Sequence, residues 1–453
     1  MALTYVSTRG GAPELGFGDV LLKGLADDGG LYVPRTWPRL EDGWDKPRPY
    51  ADVAVDVMWP FVDGSIERAD FVRLVAEAYA TFDHPDVCPV VEADGLHLLE
   101  LFWGPTLAFK DVALQLVGRL FDHELTARGS RATIVVATSG DTGSAAIEAC
   151  VGRDTLDIVV LHPEGRVSDV QRRQMTTVDA PNVHNVAIEG TFDDCQDLVK
   201  ACFADAAFRD RVRLSAMNSI NWARVMAQVV YYATASIELG RCSFAVPTGN
   251  FGNIFSGWIA ERMGVPIDQL VIGSNRNDIL ARWADTGSLV AEEVVPTLSP
   301  SMDIQVSSNH ERLLFELLGR DGARVADVLG RFRGIGSVEV PRDPRFEAAS
   351  IDDDATLAII RDLHERTGML VDPHTAVGIG AARARRRDPE VPMVCLATAH
   401  PAKFPDAVER ATGVRPPLPE RLADLFERPE RFDSLPADLA LVQAYVGSAV
   451  ADR

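Results

Sequence analysis

Lysine is nearly absent from this chain. Of 453 residues only positions 23, 46, 110, 200 and 403 carry it, and the other basic residues are arginines. Any chemistry that runs through a primary amine is confined to those five. Cysteine is equally sparse: Cys88, Cys150, Cys195, Cys202, Cys242 and Cys395 form no CxxC pair, which argues against a zinc ribbon. No metal centre is expected, and a reducing cytoplasm fits the cysteine usage. The sequence shows no charged-then-apolar leader, so export is not expected. Uninterrupted apolar runs stay short of the roughly 20 residues that cross a bilayer, which speaks against a membrane. Positive charge is outweighed, with 45 basic against 66 acidic residues and a formal net charge of -21, so nucleic acid is not an expected partner. Internal repeats and low-complexity stretches are missing as well.

What is present is ample apolar material, 47% of the chain, in a length that predicts two or three domains. Short β-branched runs, each followed by a Gly/Ser/Thr/Asn turn and a helical pattern, recur at Ile134 to Cys150, Ile158 to Met175, Phe244 to Met263 and Val394 to Ala411. This alternation predicts parallel βα units in open α/β sheets, whose ligand sites lie at the carboxyl ends of the strands. The first hundred residues read as a separate, mostly helical region, with helices around Phe17 to Leu25 and Ile66 to Phe82 on either side of the Pro/Gly/Trp-rich stretch Val33 to Tyr50. Asp352 to Asp354 reads as a helix start at the surface. The expected division is 1–95 for the N-terminal region, 96–125 with 235–453 for a larger α/β domain carrying a C-terminal appendage, and 126–234 for a smaller α/β domain.

Four segments carry candidate chemistry. Lys110 sits between Leu107-Ala108-Phe109 and Val112-Ala113-Leu114, the most apolar setting of the five lysines. Desolvation disfavours the ammonium and so favours the neutral amine a Schiff-base nucleophile needs. The same setting also fits a lysine that snorkels from a helix edge and pairs with Asp111 or Glu100. In the second segment a strand runs from Ile134 into Ser139, Gly140, Asp141, Thr142 and Gly143, a turn that presents N–H groups and hydroxyls to an anion, or else an ordinary turn capped by Thr142 or Ser144. The third ends a strand at Pro247 and leads through Gly249, Asn250, Phe251, Gly252 and Asn253 into a helix, as a phosphate cup does. It has neither the lysine of a Walker A motif nor a GxGxxG fingerprint, which favours a phosphorylated cofactor smaller than a nucleotide. In the fourth, a strand delivers Thr398, His400 and Lys403 to a turn; Thr398 is placed to bond a ring nitrogen, and His400 reads as a cap rather than a base. Between these lies a polar turn holding Asn218, Ser219, Asn221 and Arg224, which suits a polar substrate or, for Asn221, a helix cap.

In order and wording these segments resemble the threonine synthases, in their longer-chain branch, within the fold-type II pyridoxal-phosphate enzymes. Asp28 to Pro34, Phe192 to Lys200, Asp372-Pro-His374 and Thr398 to Phe404 extend the likeness over nearly the whole chain. The resemblance implies a fold of two open α/β sheet domains with the helical N-terminal region, and pyridoxal 5'-phosphate as cofactor. It implies conversion of O-phospho-L-homoserine and water into L-threonine and phosphate, by a monomer or homodimer. Lys110 would form the Schiff base, the Gly249 to Asn253 loop would hold the cofactor phosphate, and Thr398 would face the pyridine nitrogen. Asp141 would lie beside the ring. Thr106, Ser139, Gly140, Thr142, Gly143, Asn218, Ser219, Asn221, Arg224 and Lys403 would contact substrate. A related lyase releasing 2-oxobutyrate and ammonia, or a catalytically silent homologue that binds the cofactor, are the competing readings. One departure stands out: Trp103 occupies a position where the family pattern has histidine.

Overall fold

A computed structural model describes residues 2–451. Two open sheets form its frame. The larger has six strands in the order Phe346–Ser350, Ile267–Ser274, Cys242–Pro247, Met393–Ala397, Leu96–Glu100 and Val90–Ala93; all pair in parallel except the last, which forms a hairpin with its neighbour. The smaller is wholly parallel, in the order Asp433–Pro436, Val183–Glu189, Leu156–Pro163, Ala132–Ala137 and Leu214–Ser215. Strands such as Leu156–Pro163 and Cys242–Pro247 are buried along their whole length, because helices cover both faces of a parallel sheet. That is why they read in sequence as continuous apolar runs rather than as alternating ones. The four expected strand-turn-helix units are all present, ending in the helices Asp141–Cys150, Asp169–Thr176, Gly252–Met263 and Pro405–Thr412.

The N-terminal region holds the helices Phe17–Lys23, Tyr50–Val62 and Arg68–Tyr79, and also an antiparallel pair, Tyr5–Ser7 with Tyr32–Pro34. The helix Tyr50–Val62 was not expected: its valines and Pro60 are weak helix formers, and tertiary packing overrides them. It lies on the long helix Trp222–Leu239, where the Trp222 ring meets Phe61 and Tyr5 at 5.6 and 5.7 Å. The acidic cluster does begin a helix, Asp353–Thr367, with Asp352 accepting from the Ala355 N–H.

The C-terminus is placed differently from the sequence expectation. Residues grouped with the larger unit return to the smaller sheet, where Asp433–Pro436 pairs with Val183–Glu189 and the helix Leu439–Ala449 sets Val442 and Val446 against Cys195, Leu198 and Ile188. The strand Asp-Ser-Leu-Pro contains no β-branched residue and gives no strand signal of its own. Among the described residues, no helix is long and apolar enough to cross a membrane.

Candidate active site

The lysine segment is held by its neighbour rather than by a regular sheet. Leu101 N–H donates to the Ala397 carbonyl, Phe109 N–H to the Thr398 carbonyl and His400 N–H to the Leu107 carbonyl, each at 2.9 to 3.0 Å. The first bond extends the parallel pairing of Leu96–Glu100 with Met393–Ala397 and the other two form an antiparallel zipper, which carries the chain past the end of that central strand and starts the helix Lys110–Ala127 at the lysine. The turn before it is closed by Asp111, which accepts from the Thr106 N–H and hydroxyl at 2.7 Å. Gly104 is needed there, since a Cβ would stand 2.4 Å from the Asp111 Cβ.

Lys110 is 7% exposed and donates to Asp141 Oδ2 at 3.0 Å. Asp141, on the first turn of Asp141–Cys150, also meets Lys403 Nζ at 3.0 Å and accepts from Gln171 Nε2 at 2.8 Å and Ser301 Oγ at 3.4 Å. Lys403 is wholly buried and donates to the Thr106 carbonyl at 2.7 Å. Two ammoniums therefore share one carboxylate in a dry pocket. Burial draws the Lys110 pKa down; Asp141 opposes this, Lys403 and Arg224 add to it, and the net shift is downward. Burial acts to raise Asp141, but Lys110, Lys403 and His374 with the Gln171 hydrogen bond hold it well below the usual carboxylate range.

Arg224 adds a third cation. It is buried on the helix Trp222–Leu239, donates to the Met217 carbonyl at 3.3 Å, and leaves its Nε without a partner. Among the described residues no carboxylate pairs with it, and burial lowers its pKa to about 10. In the Gly249 to Asn253 loop, Phe251 takes a φ of +64° and caps Gly252–Met263. Asn253 Oδ1 accepts from the Tyr231 and Tyr232 hydroxyls at 2.6 and 3.0 Å, while its Nδ2 is buried with no acceptor. Ser301 links the two halves, its hydroxyl turned to Asp141 and its carbonyl 2.8 Å from where a Gly249 Cβ would stand. Buried donors without acceptors are costly, and a guanidinium edge, an amide and the free N–H groups of a helix start together suit a phosphorylated ligand. The residues present thus fit pyridoxal 5'-phosphate and a second phosphate.

The structure brings together Lys110, Thr106, Asp141 and Lys403 by direct contact, with Arg224 close enough to act on Lys110 electrostatically. Thr398 is buried at the same zipper. Gly140 has a φ of +139°, against the Gln171 side chain; Gly143 donates its N–H to Thr138 Oγ1 at 2.9 Å, and Ser139 and Thr142 are half-buried on this turn. Asn218 is exposed, and Ser219 offers its carbonyl to Asn309. Asn221 has no atom left for a ligand: its Nδ2 donates to the Leu21 and Ala216 carbonyls and its Oδ1 accepts from the Ala223 N–H. His400 is a cap, its Nδ1 accepting from the Ala402 N–H and its pKa lowered to about 4 by burial.

Sequence reading missed Gln171, Ser301 and His374. The His374 Nε2 accepts from the Ser301 N–H at 3.2 Å and its Nδ1 lies 2.8 Å from Asp372. Only the Asp372-Pro-His374 helix start hinted at it. Trp103 bonds Glu100 and lines a cleft of about 480 Å³ with Phe102, His400 and Arg421, a lining that includes neither Lys110 nor Asp141.

Comparison with known proteins identifies the family. Residues 89–399 match the family model "Pyridoxal-phosphate dependent enzyme", 4–79 match "Threonine synthase N terminus" and 375–446 match "Threonine synthase, C-terminal". The chain is 54% identical to threonine synthase of Pseudomonas aeruginosa over 98% of both chains, and 42% identical to that of Corynebacterium glutamicum over 99% of both. Among solved structures, the threonine synthase of Brucella melitensis with bound pyridoxal phosphate superposes with a TM-score of 0.96 at 52% identity over 99% of both chains. The yeast enzyme gives 0.94 at 36%, over 100% of this chain and 99% of that one. On this footing the chain belongs to the threonine synthase family of pyridoxal-phosphate-dependent enzymes.

Proposed function

We propose that this chain converts O-phospho-L-homoserine and water into L-threonine and phosphate, with Lys110 as the residue that handles the protons. The observation that carries the proposal is the buried Lys110–Asp141–Lys403 contact set beside the unpaired Arg224. Bound pyridoxal 5'-phosphate supplies the electron sink for chemistry at the substrate's α- and β-carbons. The Gly249 to Asn253 loop would hold its phosphate through backbone N–H groups and Asn253 Nδ2, and Thr398 and Asp141 would hold its ring.

Lys110 Nζ takes the proton from the substrate α-carbon and then one from the β-carbon, delivers a proton to the γ-carbon once phosphate has left, and returns one to the α-carbon after water has added at the β-carbon. Its lowered pKa suits that exchange, because an amine protonated less firmly than a solvated lysine gives the proton back more readily. Arg224 and Lys403 hold the phosphate that departs from the γ-carbon, as cations buried in a chain of net charge -21. The Ser139, Asp141 and Thr142 N–H groups and the Ser139 and Thr142 hydroxyls receive the substrate carboxylate, because the Gly140 and Gly143 N–H groups are spent on Thr138 Oγ1 and both Thr106 donors on Asp111. Asn218 and Ser219 contribute from the opposite turn. The cysteines, all free and buried, accord with work in the cytoplasm, where we place the chain as a monomer or homodimer.

The test is phosphate release from O-phospho-L-homoserine with product analysis. Threonine supports the proposal; 2-oxobutyrate and ammonia in its place would overturn it in favour of a lyase. Lys110→Ala should lower turnover by about 10⁴-fold or more, and full activity in that variant would remove Lys110 from the mechanism.

A further inference from the structure

The helix His310–Leu317 begins behind the phosphate loop, and the residues that lead into it, up to its N-cap Asn309, grip that loop from the rear. Ser307 Oγ donates to the Gly249 carbonyl at 2.6 Å. Asn309 donates both its backbone N–H and its Nδ2 to the Asn250 carbonyl at 3.0 Å. In a planar trans peptide the carbonyl and the following N–H point opposite ways. Capturing the carbonyls of Gly249 and Asn250 on one side therefore aims the N–H groups of Asn250 and Phe251 at the other, and the left-handed Phe251 completes an anion-binding concavity.

Asn309 is itself fixed from two directions. Its Nδ2 also reaches the Ser219 carbonyl at 3.2 Å, and its Oδ1 accepts from Arg312. Arg312 is wholly buried, and its guanidinium donates as well to the Tyr32 carbonyl at 3.0 Å and the Ile220 carbonyl at 2.6 Å. It forms no salt bridge among the described residues, although Glu311 is adjacent. Glu311 instead serves the N-terminal region, accepting from Thr8 Oγ1 at 2.6 Å and from Arg9 Nε and Nη2 at 3.0 and 2.9 Å. The carboxylate that acts on Arg312, Glu311, is shared with Thr8 and Arg9, and a buried cation so incompletely compensated is stabilised by a further anion close by. Behind an anion cup the same charge favours the bound phosphate.

We propose that Ser307, Asn309 and Arg312 are positioning residues for the cofactor phosphate, and that the N-terminal region, through Tyr32, Thr8 and Arg9, sets the shape of the cup. This rests on the reading above that the Gly249 to Asn253 loop holds that phosphate. Its signature is selective: affinity for pyridoxal 5'-phosphate depends on the clamp, whereas affinity for pyridoxal, which has no phosphate, does not.

The experiment titrates the full chain, stripped of cofactor, with each of the two aldehydes and follows the visible absorbance. Asn309→Ala and Arg312→Met should each weaken pyridoxal 5'-phosphate binding by about tenfold, and Ser307→Ala by about threefold, with pyridoxal within about twofold of the parent chain. A uniform loss for both aldehydes, or none for either, overturns the clamp. Ser307 is half-buried and loses only a hydroxyl, so its variant gives the answer even where Arg312→Met fails to fold. Asn253→Asp separates the two layers of inference, since it keeps the tyrosine contacts and sets a negative charge in the cup. If it abolishes the phosphate preference while the clamp variants retain it, the cup stands and the clamp falls. If the preference survives in Asn253→Asp as well, both fall.

Discussion

A lysine attacks a carbonyl only as the free amine, so the protonation of Lys110 governs how fast the empty protein captures its cofactor. With the pKa drawn below its ordinary value of 10.5, the rate of pyridoxal 5'-phosphate uptake should rise with pH to a midpoint below that value. Lys403→Met should move the midpoint upward, because Lys403 is one of the charges that lowers it. A stopped-flow profile with its midpoint at or above 10.5 would refute this account of the site. Asp141 makes the converse case. Its carboxyl titrates well below the usual range in the folded chain, so its contribution is fully present above the unfolded carboxyl pKa of about 3.9 and is lost as pH falls through the folded value. Asp141→Asn leaves two buried ammoniums without a partner and should destabilise by about 3–5 kcal/mol at neutral pH. Urea unfolding should show that gap narrowing below about pH 4, and a gap that widens on acidification would contradict the pairing.

Among the elements, the helix Trp222–Leu239 shows how one polar residue divides into two roles. Asn221 caps it and ties it to the carbonyl of Leu21 across the N-terminal region, whereas Arg224, one turn on, keeps a free guanidinium edge. Asn221→Ala should therefore lower stability by about 1–2 kcal/mol with the KM for substrate unchanged, as thermal unfolding and steady-state kinetics will report. A rise in KM at unchanged stability would return Asn221 to the substrate contacts. The sequence pointed to both residues equally, since an Asn-x-x-Arg turn looks the same whether its side chains face a ligand or a backbone carbonyl. The lysine helix and the two glycine-bearing turns were legible because local rules govern them: a glycine at positive φ, a strand run, a helix start. The partners Gln171, Ser301 and His374 were not, because each reaches Asp141, or the loop beside it, from a separate stretch of chain.

For the whole molecule, the smaller sheet is finished by the last part of the chain, and the proposed division is best drawn with 433–449 in the smaller unit. Ending the chain after Arg431 should uncover Val186, Ile188 and Leu198, lower the unfolding midpoint and raise binding of a hydrophobic dye. An unchanged midpoint would show that the appendage is dispensable. The sequence by itself determined the βα architecture and set Lys110 apart among five lysines, because periodicity, glycine turns and the scarcity of amines are local or compositional properties, while the cofactor came from the resemblance of whole segments to the threonine synthases. Only the tertiary structure decided that Lys110 shares Asp141 with Lys403, that Asn221 faces backbone rather than ligand, and that the cup is braced from the N-terminal region through Arg312. Those are contacts between segments as far apart as Tyr32 and Arg312, fixed by how the sheets and helices pack, and a spacing rule along the chain carries no information about them.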